Sequence, residues 1–322
     1  MNVFANLPHR TAIIALIVIL VAGGIVMIPV TAVVIFWNTM YRNPKRKRTR
    51  ECTNTKDDEQ RMMFDEGLAW ARQYRDITDE LQIESDGLTL YGEYINFGYE
   101  KCAVVLQGRT ESLLYSYYFA GVYADHGYNI LVVDLRAHGL SDGKYQTGGI
   151  KESDDLVRWI DLIRSKYSIE HFTIHGVCIG GATAVYTYVK QKNMGVHVID
   201  TIVADGLYYS YYEMFKQNFK LYKKPVFPTL QLVFFIAFIL AGVRLFSETP
   251  MKYMNSIDIP ILFIWSRKDE FCLKDKCDAL YAACASPDKQ VQFFPGGRHS
   301  HVRSSQPAEY DKTISEFLQR RQ

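Results

Sequence analysis

Between an apolar run, Phe172 to Val177, and a helical run that begins at Ala182 stands Gly176-Val177-Cys178-Ile179-Gly180-Gly181. A strand that enters a helix through so few residues must turn sharply, and glycines two before and two after the central side chain let the backbone approach its neighbours. The turn leaves Cys178 at a helix N-terminus, where partial positive charge favours the thiolate of a cysteine. Strand, tight turn and helix in that order belong to a sheet of parallel strands with helices packed on it.

The rest of the chain agrees. Apolar runs at Leu88–Asn96, Cys102–Gln107, Asn129–Asp134, Phe172–Val177, Val198–Ala204, Ile259–Trp265 and Gln290–Phe294 alternate with helical stretches. Those stretches are Ser112–His126, Ile150–Lys166, Ile179–Lys192, Lys274–Ala285 and Pro307–Arg320, after a first helix expected over Asp57–Glu80. Continuously apolar runs such as Ile130-Leu131-Val132-Val133 suit strands covered on both faces. The expected fold is α/β, a mostly parallel, doubly wound sheet in one domain. Between Asp205 and Ile259 lies a long interruption, with an aromatic cluster from Tyr208 to Tyr222 and an apolar run from Leu232 to Val243. That run is short for a membrane span, and a crossing there would separate strands of one sheet, so a lid over a site is expected instead.

Thr11 to Trp37 carries no charged side chain over 27 residues. A bilayer core takes about 20 such residues, whereas a cleaved signal core has about 7–15, so a retained transmembrane helix is expected. Arg42, Lys45, Arg46, Lys47, Arg48 and Arg50 follow it. Basic flanks stay on the cytoplasmic side, which puts the N-terminus outside and the body in the cytoplasm; the same charges suit anionic headgroups. The body beyond Arg50 is mildly acidic, which excludes the electrostatic footprint of nucleic-acid binding. No Asn-x-Ser/Thr sequon occurs, and the six cysteines form no disulfide or CxxC pattern. No cofactor and no metal are expected.

These residues together resemble the α/β-hydrolase superfamily, specifically its membrane-anchored branch with a serine-aminopeptidase-like (S33-type) hydrolase domain. The resemblance runs from about Leu81 to Leu318. It rests on Leu106-Gln107-Gly108-Arg109, on Asp134-Leu135-Arg136-Ala137-His138-Gly139-Leu140-Ser141-Asp142-Gly143, on the tight turn, on Pro260 to Ile264 before Asp269, and on Gly296-Gly297-Arg298-His299-Ser300. Two departures are plain: Cys178 replaces the family's serine, and Gln107 stands where the strand often ends in His. The resemblance implies an N-terminal tail at 1–10, an anchor at 11–37, a basic linker at 38–56, and a hydrolase domain at 57–322 with a lid insert at 207–256.

A nucleophile needs a base within hydrogen-bond reach, and the base needs an orienting carboxylate. The resemblance assigns Cys178 as nucleophile, His299 as base and Asp269 as acid, with His301 the rival base and Asp205 the alternative acid. The oxyanion hole would use the backbone N–H groups of Ile179 and Arg109. Asp134, Arg136 and His138 are expected to hold a loop by local hydrogen bonds, and His175 to be a buried imidazole with a partner. The reading is a membrane-anchored hydrolase that opens an ester, thioester or lactone through an acyl-enzyme, on a small-molecule or lipid-like, partly apolar acyl substrate. A pseudo-hydrolase serving as a binding or scaffold module is the alternative. A redox-sensing thiol ranks third, because no second cysteine lies near Cys178 in sequence.

Overall fold

The computed structural model describes residues 9–42 and 57–320. Lys45 to Arg50, Cys52 and most of the expected linker, with the first eight residues of the tail, lie outside them.

In chain order the longer elements are α1 (His9–Thr39), α2 (Asp58–Arg72), β1 (Thr78–Ser85), β2 (Leu88–Ile95), β3 (Lys101–Leu106), β4 (Tyr128–Val133) and α3 (Glu152–Tyr167). There follow β5 (His171–Val177), α4 (Ile179–Asn193), β6 (Ile199–Asp205), α5 (Tyr211–Leu221), α6 (Thr229–Ala241), β7 (Ile261–Ser266), α7 (Lys274–Ala283), β8 (Lys289–Phe294) and α8 (Pro307–Gln319). Eight strands form one sheet in the order β1-β2-β4-β3-β5-β6-β7-β8. β2 pairs antiparallel with β1 and β4, and every other pairing is parallel. The side chains of β3 and β7 that read as unbroken apolar runs are buried along their length, as a sheet covered on both faces requires.

The order places the site. β4 lies on one side of β3 and β5 on the other, so the chain changes direction across the sheet there and opens a crevice beyond the strands' C-terminal ends. Parallel strands put their C-terminal ends on one edge. Asp205 ends β6, and Gln107, Cys178, Asp269 and His299 follow strand ends, so all five gather at that edge.

Two sequence expectations are corrected. The first helix does not reach Glu80: it ends at Arg72, and Thr78–Ser85 becomes an edge strand in register with β2 from Thr78↔Ile95 to Ser85↔Leu88. Of its eight residues only Leu81 and Ser85 are buried, so its apolar alternation is thin and pairing with β2 decides its conformation. The stretch Ser112–His126 is not one helix but short turns, Leu113–Ser116, Tyr117–Phe119 and Gly121–Ala124.

The segment between β6 and β7 carries α5 and α6. α6 holds most of the Leu232–Val243 run and buries Leu230, Val233, Phe234 and Ala237 against the domain. Asp205 pairs with Ile264 across the segment, so both flanking strands join one sheet and this run is no second span.

α1 continues unbroken for 31 residues, contacts α6, and buries Ala32, Ile35 and Phe36 in its last turns, with Met40 buried just beyond its end. Among the described residues no helix is long and apolar enough to cross a membrane; the side chains at positions 21, 22 and 25, which divide the apolar stretch of α1, lie outside the description.

Candidate active site

Cys178 sits between β5 and α4 with φ 54° and ψ −107°, a strained conformation for a residue with a Cβ. The flanking glycines are required by space. A Cβ on Gly176 would fall 2.2 Å from the Gly180 carbonyl carbon, and one on Gly180 2.7 Å from the Leu106 carbonyl oxygen. The Cys178 N–H donates to the Asp205 carbonyl at 2.8 Å, which ties the turn to β6. Cys178 is buried and contributes to the wall of a cavity of about 170 Å³, shared with Gly108, Arg109, Glu111, Phe215 and His299.

His299 follows β8 on a loop held by the Ser266 hydroxyl, which donates to the Gly297 carbonyl at 2.5 Å with the Gly296 carbonyl 3.1 Å away. Its Nδ1 lies 2.7 Å from Asp269 Oδ2. Asp269 Oδ1 accepts the N–H groups of Phe271 and Cys272, each at 2.8 Å. Burial alone would raise the Asp269 carboxyl; the His299 charge and these hydrogen bonds outweigh it and hold the group below its ordinary range. Burial works against the His299 cation too, yet Asp269 and the two neighbouring sulfurs raise the imidazole well above its usual value. His299 Nε2 is buried with no hydrogen-bond partner. The structure therefore joins His299 to Asp269 and brings His299 and Cys178 to one cavity, without a hydrogen bond between them.

The rivals have other partners, although His301 also lines the cavity and its Nε2 too is buried without a hydrogen-bond partner. Asp205 is fully buried, and its Oδ2 accepts from the Tyr310 hydroxyl at 2.7 Å. Burial raises this carboxyl to about 7. Tyr310 Oη also lies 3.1 Å from His175 Nε2, which supplies the partner expected for His175; burial lowers that imidazole to about 3 and keeps it neutral. His301 Nδ1 donates to the His299 carbonyl at 2.8 Å, and its ring faces Asp57 and Glu59 at the start of α2. Those two carboxylates already hold Arg298, at 2.9 and 2.7 Å. A second cluster of metal-ligand type, Asp269, Cys272 and His299, is the ion pair described above with a thiol beside it.

The N–H of Ile179 lies in the first turn of α4, where no carbonyl of the helix accepts it. Arg109 follows the Gln107-Gly108 turn, and its side chain reaches the Thr39 carbonyl at the end of α1, at 3.5 Å. His138 lies between the carbonyls of Arg136 and Arg109, 2.8 Å from each. Asp134 accepts the Leu113 and Leu140 N–H groups, and Arg136 forms a bidentate pair with Asp155. These three residues brace the loop, as expected. Gln107, with its amide oriented to satisfy both ends, donates to the Val133 carbonyl and accepts from the Leu135 N–H, so it braces β4 rather than facing the cavity.

Three residues escaped the sequence reading. Glu111, buried in the cavity wall, accepts the Gly108 N–H at 2.9 Å, and burial raises its carboxyl. An acid just before the apolar Leu113-Leu114-Tyr115 run was the available signal. Cys272 Sγ lies 3.8 Å from His299 Nδ1 and donates to the Gly206 carbonyl, its thiol pushed up by burial to about 12. A second sulfur thus stands beside the imidazole although 94 positions separate it from Cys178, which no sequence pattern reveals. Gly206, with φ 60°, faces the His299 ring, and a Cβ there would lie 3.2 Å from Cε1.

The family model of the alpha/beta hydrolase fold matches residues 104–226. An uncharacterized Bacillus subtilis protein, YqkD, is 28% identical over 217 residues, 67% of this chain and 70% of that protein. An uncharacterized membrane protein of Saccharomyces cerevisiae is 24% identical over 178 residues, which span 55% of this chain and 57% of the yeast protein. Among solved structures, an esterase of Pyrococcus furiosus superposes with a TM-score of 0.63 at 25% identity, covering 76% of this chain and 90% of the esterase.

Proposed function

Taking as premise a chain with the α/β-hydrolase fold, we propose an ester hydrolase that works by Cys178, His299 and Asp269 through an acyl-enzyme, anchored to a membrane by α1. The reading includes the membrane-anchored, S33-type branch and a partly apolar ester, thioester or lactone as substrate. The observation that carries it is the strained Cys178 turn sharing one cavity with the His299–Asp269 pair.

In this mechanism His299 Nε2 takes the thiol proton and Cys178 Sγ attacks the acyl carbonyl. The N–H groups of Ile179 and Arg109 receive the developing oxyanion. The tetrahedral intermediate expels the leaving group with the proton from His299, and water activated by the same imidazole releases the acid. The unpartnered Nε2 suits this role, because such contacts often tighten only when substrate is bound. Asp269 orients the ring and steadies its cation. α5 and α6 supply the lid, with Met214, Phe215 and Asn218 of α5 on the cavity wall.

For the anchor, the supports are the uncharged run from Thr11 to Trp37, the 31-residue length of α1, and outward apolar side chains such as Leu16, Val18, Leu20 and Val30. The yeast relative's description as a membrane protein points the same way. The basic run after Tyr41 orients the domain to the cytoplasm.

The competing reading, a binding module with an impaired nucleophile, is favoured by the missing Cys178–His299 hydrogen bond. Activated short-chain esters and thioesters offered to the full chain separate the two. The enzyme reading expects turnover that falls about 100-fold or more in Cys178→Ala and in His299→Ala, and an acylated Cys178 peptide that depends on His299. Native protein without turnover, restored by Cys178→Ser, overturns it.

A further inference from the structure

Thirteen large apolar side chains outside α1 are exposed among the described residues, and eight of them fall in the insert at 207–256: Leu221, Tyr222, Phe227, Phe235, Phe238, Ile239, Leu240 and Phe246. Single exposed hydrophobics are ordinary on a protein surface; a cluster of this size is not. Phe235, Phe238 and Ile239 recur at helical spacing and leave the outer face of α6 apolar, while its inner face, with Val233, Phe234 and Ala237, is buried in the domain.

Two further features say what covers that face. From Gln217 to Ser247 the chain carries Lys220, Lys223, Lys224 and Arg244 and no acidic residue. The three lysines are exposed beside Leu221, Tyr222 and Phe227, a pairing of aromatic and basic side chains suited to the headgroup level of an anionic leaflet. α6 also contacts α1, whose last turns bury Ala32, Ile35 and Phe36, so the apolar face of α6 lies beside the apolar surface of α1. The part of the uncharged run that precedes this contact, residues 11–31, rises roughly 31 Å at 1.5 Å per residue, close to the ~30 Å of a hydrocarbon core. α6 then falls at the edge of the leaflet.

We propose that the outer face of α6, with the lysine corner after α5, docks onto the bilayer beside α1, so that the cavity takes a long-chain amphiphilic acyl ester from that leaflet. The cavity wall includes Thr39 at the end of α1 and Met214, Phe215 and Asn218 of α5, so the anchor and the insert both border the cavity. The docking rests on the surface chemistry of the insert and on the reading of α1 as an anchor; the substrate half rests on the hydrolase reading above.

The test uses the full chain in phosphatidylcholine vesicles with and without phosphatidylserine. Phe238→Trp reports on α6, and Met194→Trp, beyond the far end of α4 from Cys178, serves as the control at an exposed site. Lipids brominated near the glycerol should quench the added fluorescence at position 238 at least twofold and leave that at 194 unchanged. Replacing Lys220, Lys223 and Lys224 by Gln should abolish any gain from phosphatidylserine. A tryptophan at 238 that lipid does not quench, as when a second copy of the chain covers this face, overturns the docking; so does equal quenching at both positions.

A second readout addresses the substrate. The combined change of Phe235, Phe238 and Ile239 to Ser should leave turnover of a water-soluble short-chain ester unchanged and slow that of a bilayer-resident long-chain ester about tenfold. Equal rates on the bilayer ester overturn the delivery route. If quenching is as expected while the soluble ester is never turned over, the hydrolase reading falls and the docking remains.

Discussion

His299 Nδ1 and Asp269 Oδ2 stand 2.7 Å apart in a part-buried pair, and the opposite ring nitrogen has no hydrogen-bond partner. A carboxylate at that distance fixes the tautomer and ring angle and makes the imidazole more basic. In Asp269→Asn that support is gone while burial, which lowers His299, remains. Turnover should drop by about 10²–10⁴, and the His299 titration followed by NMR should move to lower pH. Stability carries a matching signature. His299 is raised in the fold, so its contribution is complete below about 6.5 and fades as pH rises through the folded value; Asp269 is depressed, so its contribution is lost as pH falls below about 4. The deficit of the variant in chemical unfolding should be greatest between those limits. A deficit independent of pH would sink the assignment.

Two glycines should separate stability from chemistry. In Gly180→Ala the new methyl meets the Leu106 carbonyl oxygen at 2.7 Å, backbone that cannot yield, and the cost should be about 3 kcal/mol or more of unfolding free energy. In Gly206→Ala it meets the edge of His299 at 3.2 Å, in a left-handed backbone that adds about 1 kcal/mol of strain. There the ring gives way instead. Turnover should fall by an order of magnitude or two, because small misplacements of a base are costly, with only a modest loss of melting temperature.

The parallel strands and the tight turn were legible because burial on both faces writes itself into the sequence as unbroken apolar runs, and because crowding at Gly176 and Gly180 admits no other residue. β1 was not legible: an edge strand with few buried side chains resembles the end of a helix until β2 is there to pair with it. His299 and Asp269 could be named from the family resemblance together with their places after strands, whereas the surroundings of Asp205 and His301 depended on Tyr310, Arg298 and the acids of α2, all distant in the chain. Cys272 belongs with these, since only folding brings it to the imidazole.

Glu111 should act as a positioning residue. Its carboxylate accepts the Gly108 N–H and so holds the turn that presents the Arg109 N–H. Glu111→Ala leaves that donor without a partner, a cost of about 1–3 kcal/mol, and should lower kcat about tenfold with little change in KM. Glu111→Gln keeps an acceptor and should recover most of the loss. A merely structural role would instead lower the melting temperature and leave kcat untouched in both variants.

Asp205 offers the clearest test of pH. Burial raises its carboxyl to about 7 in the fold, against about 3.9 in an unfolded chain. A raised acid favours the folded state at low pH and penalises it progressively as pH climbs from about 4 to about 7, after which the penalty is constant. Asn keeps an acceptor for the Tyr310 hydroxyl and has no charge to bury. Relative to the native chain, Asp205→Asn should therefore gain stability between pH 5 and pH 8, by a total on the order of 1–3 kcal/mol, measured as the difference in urea unfolding at each pH. Because Asp205 pairs with Tyr310 rather than His299, the same variant should keep its pH–rate profile. A shift of that profile as large as the one in Asp269→Asn would mean that Asp205 is the acid serving His299.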